Sequence, residues 1–383
     1  MSRAAGWLAY GLYRLIPKRR IAILNGRPDL CDDVLALERV LGGTDLRRVV
    51  ILTYARVDAG LRSRYPYLLP TTRVVAKRSV RGVFYLLTAK YVFFTHSFAM
   101  HRFPKSVVSV NVWHGMPVKR VGWMTELGWQ LPLAKYSVAT SPFWAAVVQE
   151  SLLPHAGTLV TGLPRNDRLL LGDRGVLRAL GHAHGSGLRM IAWLPTYREE
   201  GKGQAARTHS SHVLGLSAES LGEVDRLLGS HSALLVVKRH PLAVQEDTPE
   251  LNHIRYLTDE WLDERGLTLH ELLGESCALV TDVSSAYVDY LILDRPIVHH
   301  FPDMEVYGLS RGYSITPIGD YLAGPVVADL AGLAEALSAL LAGKDTHREQ
   351  RRRVRSLFHE HLDGSSAERL VRALGLEPGE PAP

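Results

Sequence analysis

Short apolar runs alternate along the chain with stretches in which apolar residues recur at helical spacing. Ile21–Leu24, Val49–Leu52, Arg73–Ala76, Tyr91–Phe94 and Val107–Val112 read as strands buried on both faces, because they are short, nearly continuous in apolar or β-branched residues, and bounded by polar turns. Asp32–Leu41 and Gly82–Ala89 between them carry the helical period. The second half repeats the theme with Met190–Leu194, Ala233–Val237, Ile254–Leu257, Ala278–Val280 and Ile297–His299 as strands. This alternation predicts an α/β protein of two doubly wound domains facing across a cleft, with ligands beyond the carboxyl ends of the strands.

The turn Thr161-Gly162-Leu163-Pro164 suits a junction between the halves. The expected organisation is a helix over 1–20, domains over 21–160 and 161–350, and a C-terminal helix and tail over 351–383. The polar segment Glu199–Leu216 reads as a long loop, and Val327–Leu374 as mostly helical with a break at Asp363-Gly364.

With 383 residues, two domains of ordinary size are expected. A net charge of +6 and a pI near 9.3 favour anionic partners. The basic residues are scattered or sit inside motifs, and no zinc-finger spacing or basic arm occurs, so nucleic acid is not the expected partner. The two cysteines, Cys31 and Cys277, read as reduced, buried small hydrophobes. No apolar run approaches the eighteen or so residues of a membrane span. At the N-terminus, Trp7, Leu8, Leu12, Leu15 and Ile16 recur near helical spacing, ahead of Lys18, Arg19 and Arg20, with Pro17 ending the helix. Such a helix suits either an anionic membrane surface or ordinary packing with a solvated basic end.

Five segments place reactive side chains at predicted strand ends. In Trp113-His114-Gly115-Met116-Pro117-Val118-Lys119, an imidazole at a strand tip suits a general base, or a structural histidine bonded to a carbonyl. In Gly162-Leu163-Pro164-Arg165-Asn166-Asp167, the Arg165 guanidinium suits a phosphate, or a pair with Asp167. Thr196 and Arg198 follow Pro195 and offer a hydroxyl and a guanidinium to phosphate oxygens, or a helix cap. Lys238-Arg239-His240 ends a buried strand, a poor choice for packing and a good one for a pyrophosphate. Thr281-Asp282-Val283-Ser284-Ser285 ends a strand and opens a helix that continues to Asp289, suiting an anion site or simple capping. No G-x-G-x-x-G, P-loop or G-x-S-x-G motif is present, and no acidic cluster suggests a metal; no cofactor is expected.

Taken in order, W-H-G-x-P-x-K (Trp113–Lys119), G-x-P-R-x-D (Gly162–Asp167), P-T-x-R (Pro195–Arg198), R-H-P (Arg239–Pro241) and T-D-x-S-S (Thr281–Ser285) resemble the CDP-glycerol glycerophosphotransferases, the teichoic-acid primases and polymerases. Asp289, Arg295-Pro296-Ile297, Asp303, Tyr307 and Arg311-Gly312 extend the resemblance. It implies a GT-B-like fold of two Rossmann-like domains, the second binding most of the donor. It implies a CDP-glycerol donor, a lipid-linked glycan or polymer acceptor, release of CMP, and work at the cytoplasmic face of an anionic membrane as a peripheral protein. His114 is then the expected base and His240 a second catalytic group. Lys119, Arg165, Thr196, Arg198, Lys238, Arg239, Asp282, Ser284, Ser285 and Asp289 are the expected substrate-binding residues. Two positions depart from the family: Met116 stands where threonine is usual, and Val283, a smaller change, where an aromatic or larger residue is common. The alternatives are a CDP-ribitol-using transferase or capsular polymerase, a GT-B nucleotide-sugar glycosyltransferase, and a non-catalytic phosphate- or membrane-binding protein.

Overall fold

The computed structural model describes residues 10–11, 13–54, 60–96, 98, 101–126, 131–183, 185–195, 218–238 and 251–377. Thirteen strands among them form two sheets. The first is entirely parallel and runs β3-β2-β1-β4-β5-β6-β7. Its strands are β1 (Arg19–Asn25), β2 (Arg48–Thr53), β3 (Arg73–Ala76), β4 (Ala89–Phe94), β5 (Val108–Asn111), β6 (Tyr136–Ala139) and β7 (Thr158–Val160). The second, also parallel, runs β10-β9-β8-β11-β12-β13. Its strands are β8 (Arg189–Leu194), β9 (Ala233–Lys238), β10 (Ile254–Leu257), β11 (Ala278–Thr281), β12 (Ile297–His300) and β13 (Val326–Val327). Each sheet reverses its strand order once, between β1 and β4 and between β8 and β11. These are the switch points where doubly wound sheets bind ligands. The architecture is α/β and GT-B-like, with two Rossmann-like sheets.

Two compact units follow the sheets. Unit 1 comprises Met1–Pro117, Val121–Arg168 and Phe358–Pro383; unit 2 comprises Val118–Arg120 and Leu169–Leu357. The core of unit 1 gathers Ile21, Ile23, Val50, Leu52, Val92 and Phe94. That of unit 2 gathers Ile191, Trp193, Leu235 and Val280 under Leu228 of helix Ala218–Ser230 and Leu333 and Leu337 of helix Leu330–Leu341. All six residues of β9 are buried, which is why Ala233–Val237 reads as an unbroken apolar run.

Helix Asp32–Leu41 forms over the span its periodicity predicts. Helix Val80–Thr88 begins two residues before the periodicity does, because the Ser79 hydroxyl accepts the Gly82 N–H at 3.0 Å and caps it. The C-terminal stretch divides into three helices, Leu330–Leu341, Arg348–Phe358 and Ser366–Ala373. The first break falls at Gly343 (φ +79°) and the second at Gly364 (φ +72°), both in the left-handed region glycine tolerates. Residues 358–377 return to unit 1. The Thr140 hydroxyl donates to the Phe358 carbonyl at 2.6 Å, the Glu360 N–H donates to the Thr140 carbonyl at 2.9 Å, and the Phe358 ring stacks on Phe143.

Of the N-terminal helix, residues 10–11 and 13–15 are described and helical. Tyr13 is fully buried in the unit 1 core, and Lys18 Nζ donates to the carbonyls of Tyr13 and Leu87, while Leu15 is exposed. The helix expected over 1–20 stops short: residues 16–18 are not helical, as Pro17 requires, and Arg19 and Arg20 already open β1. Residues 1–9 and 12 lie outside the described residues, as does the polar segment 199–216. Among the described residues no helix is long and apolar enough to cross a membrane.

Candidate active site at the strand ends

In unit 1 the chemistry gathers where β4 and β5 end. Phe94 and Asn111 are register partners. Beyond Asn111 the chain turns sharply, because Trp113 takes a left-handed conformation (φ +54°) and Gly115 follows at φ +121°. A non-glycine residue in that region costs about 1–2 kcal/mol. The Asn111 side chain offsets part of this by accepting the Trp113 N–H at 3.0 Å. The turn leaves His114 half-buried beside the end of β4, with Nδ1 3.1 Å from the Thr95 carbonyl. A carbonyl can only accept, so Nδ1 carries the proton and the lone pair of the neutral ring lies on Nε2.

His96, at the end of β4, stacks on His114 with ring centroids 4.1 Å apart and planes 11° from parallel. Its Nδ1 is 2.8 Å from the Thr95 hydroxyl. Burial, and then the positive charges of Arg27 and Arg165, push the His96 imidazole down to about 4, so it is neutral near pH 7. Arg27, His96, His114 and Arg165 thus share one edge of the first sheet. Neither Arg27 nor His96 belongs to the five segments that stand out in the sequence, and His96 is one histidine among 17. The signal that could have found them is positional: both follow strands that flank the switch point.

The G-x-P-R-x-D segment is largely explained by anchoring. Gly162 is at φ +79°, and a Cβ there would run into the Ser366 side chain. The Asp167 carboxylate accepts the N–H groups of Ser366 and Ala367 at 2.8 and 2.9 Å, holding the start of helix Ser366–Ala373. The buried Arg165 donates its backbone N–H to Asp33 at 3.1 Å, and Arg168 lies 3.2 Å from Asp32.

In unit 2, Lys119 forms a backbone bridge with Tyr313, and the Arg120 N–H donates to the Gly312 carbonyl at 3.2 Å. Lys238 ends β9, buried, with Nζ 2.6 Å from Asp259. Asp282 follows β11, on the far side of β8 from Lys238, and its carboxylate accepts the Ser284 N–H at 3.0 Å. The Ser284 hydroxyl accepts the Ala286 N–H at 3.3 Å, and Ser284 and Ser285 are half-buried where helix Ala286–Tyr290 begins. Lys238, Asp282, Ser284 and Ser285 therefore share the carboxyl edge of the second sheet on either side of its switch point. His299 braces this edge from below. Its Nδ1 donates to the Asp282 carbonyl at 2.9 Å, and its Nε2 accepts the Ala323 N–H at 3.2 Å. Burial pushes it down to about 4.

Asp289 sits apart from that edge. It is fully buried, and its carboxylate lies 3.5 Å from Nε2 of the equally buried His270. That position pairs it with His270 inside unit 2. Thr196, Arg198, Arg239 and His240 lie outside the described residues. Met116 has no exposed surface. Among the described residues, no three His, Cys, Asp or Glu side chains group as metal ligands.

Residues 27–376 match the CDP-Glycerol:Poly(glycerophosphate) glycerophosphotransferase family. The chain belongs to this family. All five motif segments fall inside the matched span. The chain is 22% identical over 391 residues to the teichoic acid ribitol-phosphate primase of Bacillus spizizenii, covering 92% of this chain and 90% of that one. It is 25% identical over 290 residues to the teichoic acid glycerol-phosphate transferase of Staphylococcus aureus, covering 69% and 70%. It spans less than half of the Staphylococcus aureus ribitol-phosphate polymerase TarK, at 25% identity over 245 residues. The solved structure of the wall teichoic acid polymerase TagF shares the fold, with a TM-score of 0.72 at 17% identity over 96% of this chain and 92% of that one. A putative UDP-N-acetylglucosamine 2-epimerase from Listeria monocytogenes shares it more loosely, with a TM-score of 0.53 at 14% identity over 93% and 96%. The protein is thus a transferase of the glycerophosphotransferase family with a GT-B-like fold.

Proposed function

We propose that the protein transfers a polyol phosphate, glycerol phosphate in the first instance, from a CDP-linked donor to a lipid-linked or polymer acceptor of teichoic-acid type. The observation that carries this reading is the state of His114. Its Nδ1 proton is held by the Thr95 carbonyl, and the lone pair is left on Nε2, as a general base requires. The acceptor hydroxyl attacks the phosphorus bearing the polyol. Its proton passes to His114 Nε2, the new P–O bond forms, and the bond to the bridging oxygen breaks with CMP keeping the electron pair. Lys238, Ser284 and Ser285 at the second switch point suit the diphosphate, and Arg165 suits an acceptor phosphate. Arg198, Thr196, Arg239 and His240 join them by their motif positions, His240 as a second catalytic group. Phosphoryl transfer depends mainly on positioning and charge stabilisation, which this set of cations and hydroxyls supplies. Work at the cytoplasmic face of an anionic membrane fits both the basic charge of the chain and a lipid-linked acceptor.

Ribitol phosphate is the second reading, favoured by the match to a ribitol-phosphate primase along nearly the full length of both chains. The test is CMP release from CDP-glycerol and from CDP-ribitol, each with a lipid-linked disaccharide acceptor carrying one glycerol phosphate or none. Acceptor-dependent release with either donor, lowered roughly 10²–10⁴-fold by His114→Ala, is the expected result. A loss below about tenfold in a folded variant removes His114 as the base. A nucleoside diphosphate product from a nucleotide sugar would replace the whole reading with glycosyl transfer.

A further inference from the structure

The geometry points to His96 as a positioning residue for His114: the flat face of its ring, together with the Thr95 peptide, fixes the orientation and tautomer in which His114 meets the acceptor hydroxyl. This rests on the reading of His114 as the base. Parallel neighbours such as β4 and β5 lie about 4.8 Å apart, so side chains leaving their carboxyl ends at the same level can come into ring-to-ring contact. His96 is two residues beyond Phe94, and His114 three beyond Asn111, its register partner; the left-handed Trp113 takes up the difference. The rings then meet at 4.1 Å and 11°.

Thr95 ties both rings to the backbone. Its hydroxyl is 2.8 Å from His96 Nδ1, and its carbonyl is 3.1 Å from His114 Nδ1. Thr95 is itself held, because its N–H donates to the Asn25 carbonyl at 3.2 Å, continuing the pairing of β4 with β1. One buried residue therefore sets both imidazoles, and a slip of either ring moves the other.

The arrangement also suits the reaction chemically. As His114 takes the acceptor proton it becomes an imidazolium. A charged ring stacked on it would oppose that step, whereas an uncharged π face favours the cation. Burial and the Arg27 and Arg165 charges keep His96 in that uncharged state. Those two guanidiniums and His114 are the charged or titratable groups acting on His96 among the described residues.

The test compares His96→Phe, which keeps a flat ring, with His96→Leu, which fills the space without one. Acceptor-dependent CMP release gives kcat and KM, using whichever CDP-polyol the wild type turns over. His96→Leu is expected to lower kcat by about 10- to 100-fold with donor KM within about twofold, and His96→Phe to stay within about threefold of wild type. Long-range ¹⁵N–¹H spectra of histidine-labelled protein read the tautomer directly: His114 protonated at Nδ1 in wild type and His96→Phe, and a mixture in His96→Leu. Unchanged kcat in His96→Leu, equal losses in the two folded variants, or a pure Nδ1–H tautomer in His96→Leu would each overturn the proposal. If His96→Leu does not fold, a His96→Phe variant that folds but loses more than about tenfold in kcat overturns it as well. The spectra keep the two readings apart: an active His114→Ala would remove the base, while the tautomer of His114 in His96→Leu still decides the positioning role.

Discussion

Replacing Arg351 with methionine tests how the second sheet holds its last helix. The Arg351 side chain is 2% exposed, yet it makes three charge-assisted bonds: Nε to Asp294 at 3.1 Å, and both terminal nitrogens to the two oxygens of Asp345 at 3.0 and 2.8 Å. Removing one member of a buried ion pair typically costs about 3–5 kcal/mol, because the partner charge is left in a poor solvent. The partners in this network have other counter-ions. Asp294 keeps Arg352 at 2.8 Å and Arg355 at 3.8 Å, and Asp345 keeps Arg348 at 3.5 Å. Both carboxylates also retain some water, at 18% and 16% exposure. The expected loss for Arg351→Met therefore falls to about 2–3 kcal/mol, since the methionine still fills the apolar stem. For a unit of roughly two hundred residues this lowers the melting temperature by about 4–12 °C.

The same network fixes the sign of a pH effect. The Arg351 hydrogen bonds hold the Asp345 carboxyl below its usual range. For Asp294 burial works in the opposite direction, but the bonds from Arg352 and Arg351 prevail and its carboxyl is also held low. A depressed carboxyl contributes stability that is present above its unfolded value, about 3.9, and is lost as pH falls through the folded value. Calorimetric scans of wild type and Arg351→Met should thus differ most near neutrality and converge below about pH 4. Melting temperatures within about 1 °C at pH 7, or a gap that persists unchanged into acid, would refute the reasoning.

Other perturbations separate anchoring from chemistry in the motifs. Asp167→Ala should lower stability by about 1 kcal/mol in denaturant titrations, because the cost of burying its carboxylate, which raises its pKa, offsets part of the two N–H bonds it accepts. CMP release per folded molecule should stay within about twofold if that residue only caps a helix. Met116→Thr restores the residue usual at that position but puts a hydroxyl where no surface is exposed, so a loss of about 2 kcal/mol is expected in the same titration, with little change in donor KM.

What could be read from the sequence follows the length and isolation of each signal. β1, β2, β4, β8 and β9 are six or seven residues long and almost wholly buried, so they announce themselves as apolar runs. β6 (Tyr-Ser-Val-Ala) and β7 (Thr-Leu-Val) are too short and too mixed to do so. Ser137 is completely buried, an environment that its hydroxyl does not suggest. β13 has two residues and exists only through its pairing with β12. The return of residues 358–377 to unit 1 depends on bonds such as Thr140 to Phe358, which join positions 218 residues apart and leave no local trace. Motif order pointed to His114, Arg165, Lys238 and the Asp282–Ser285 turn as candidate site residues. It could not point to His96, whose proposed role depends on a neighbouring strand, nor show that Asp289 faces His270.

His114 and His299 show why strand-end position alone does not define a base. Both histidines use Nδ1 to donate to a backbone carbonyl, at 3.1 and 2.9 Å, so both have the same tautomer. The difference lies in what surrounds the rest of the ring. His299 is fully buried, and its Nε2 accepts the Ala323 N–H, so taking a proton there would break a bond and bury a charge. It is a strut that holds the Asp282 turn in place. His114 is half-buried, leans on an uncharged aromatic face, and stands on the edge of the first sheet that also carries Arg27 and Arg165. Protonation there places a cation against a π surface rather than in a sealed core, which is the less costly of the two states. The carbonyl–imidazole bond thus sets the tautomer in both residues, and the environment is the reason why the base proposed here is His114 and not His299.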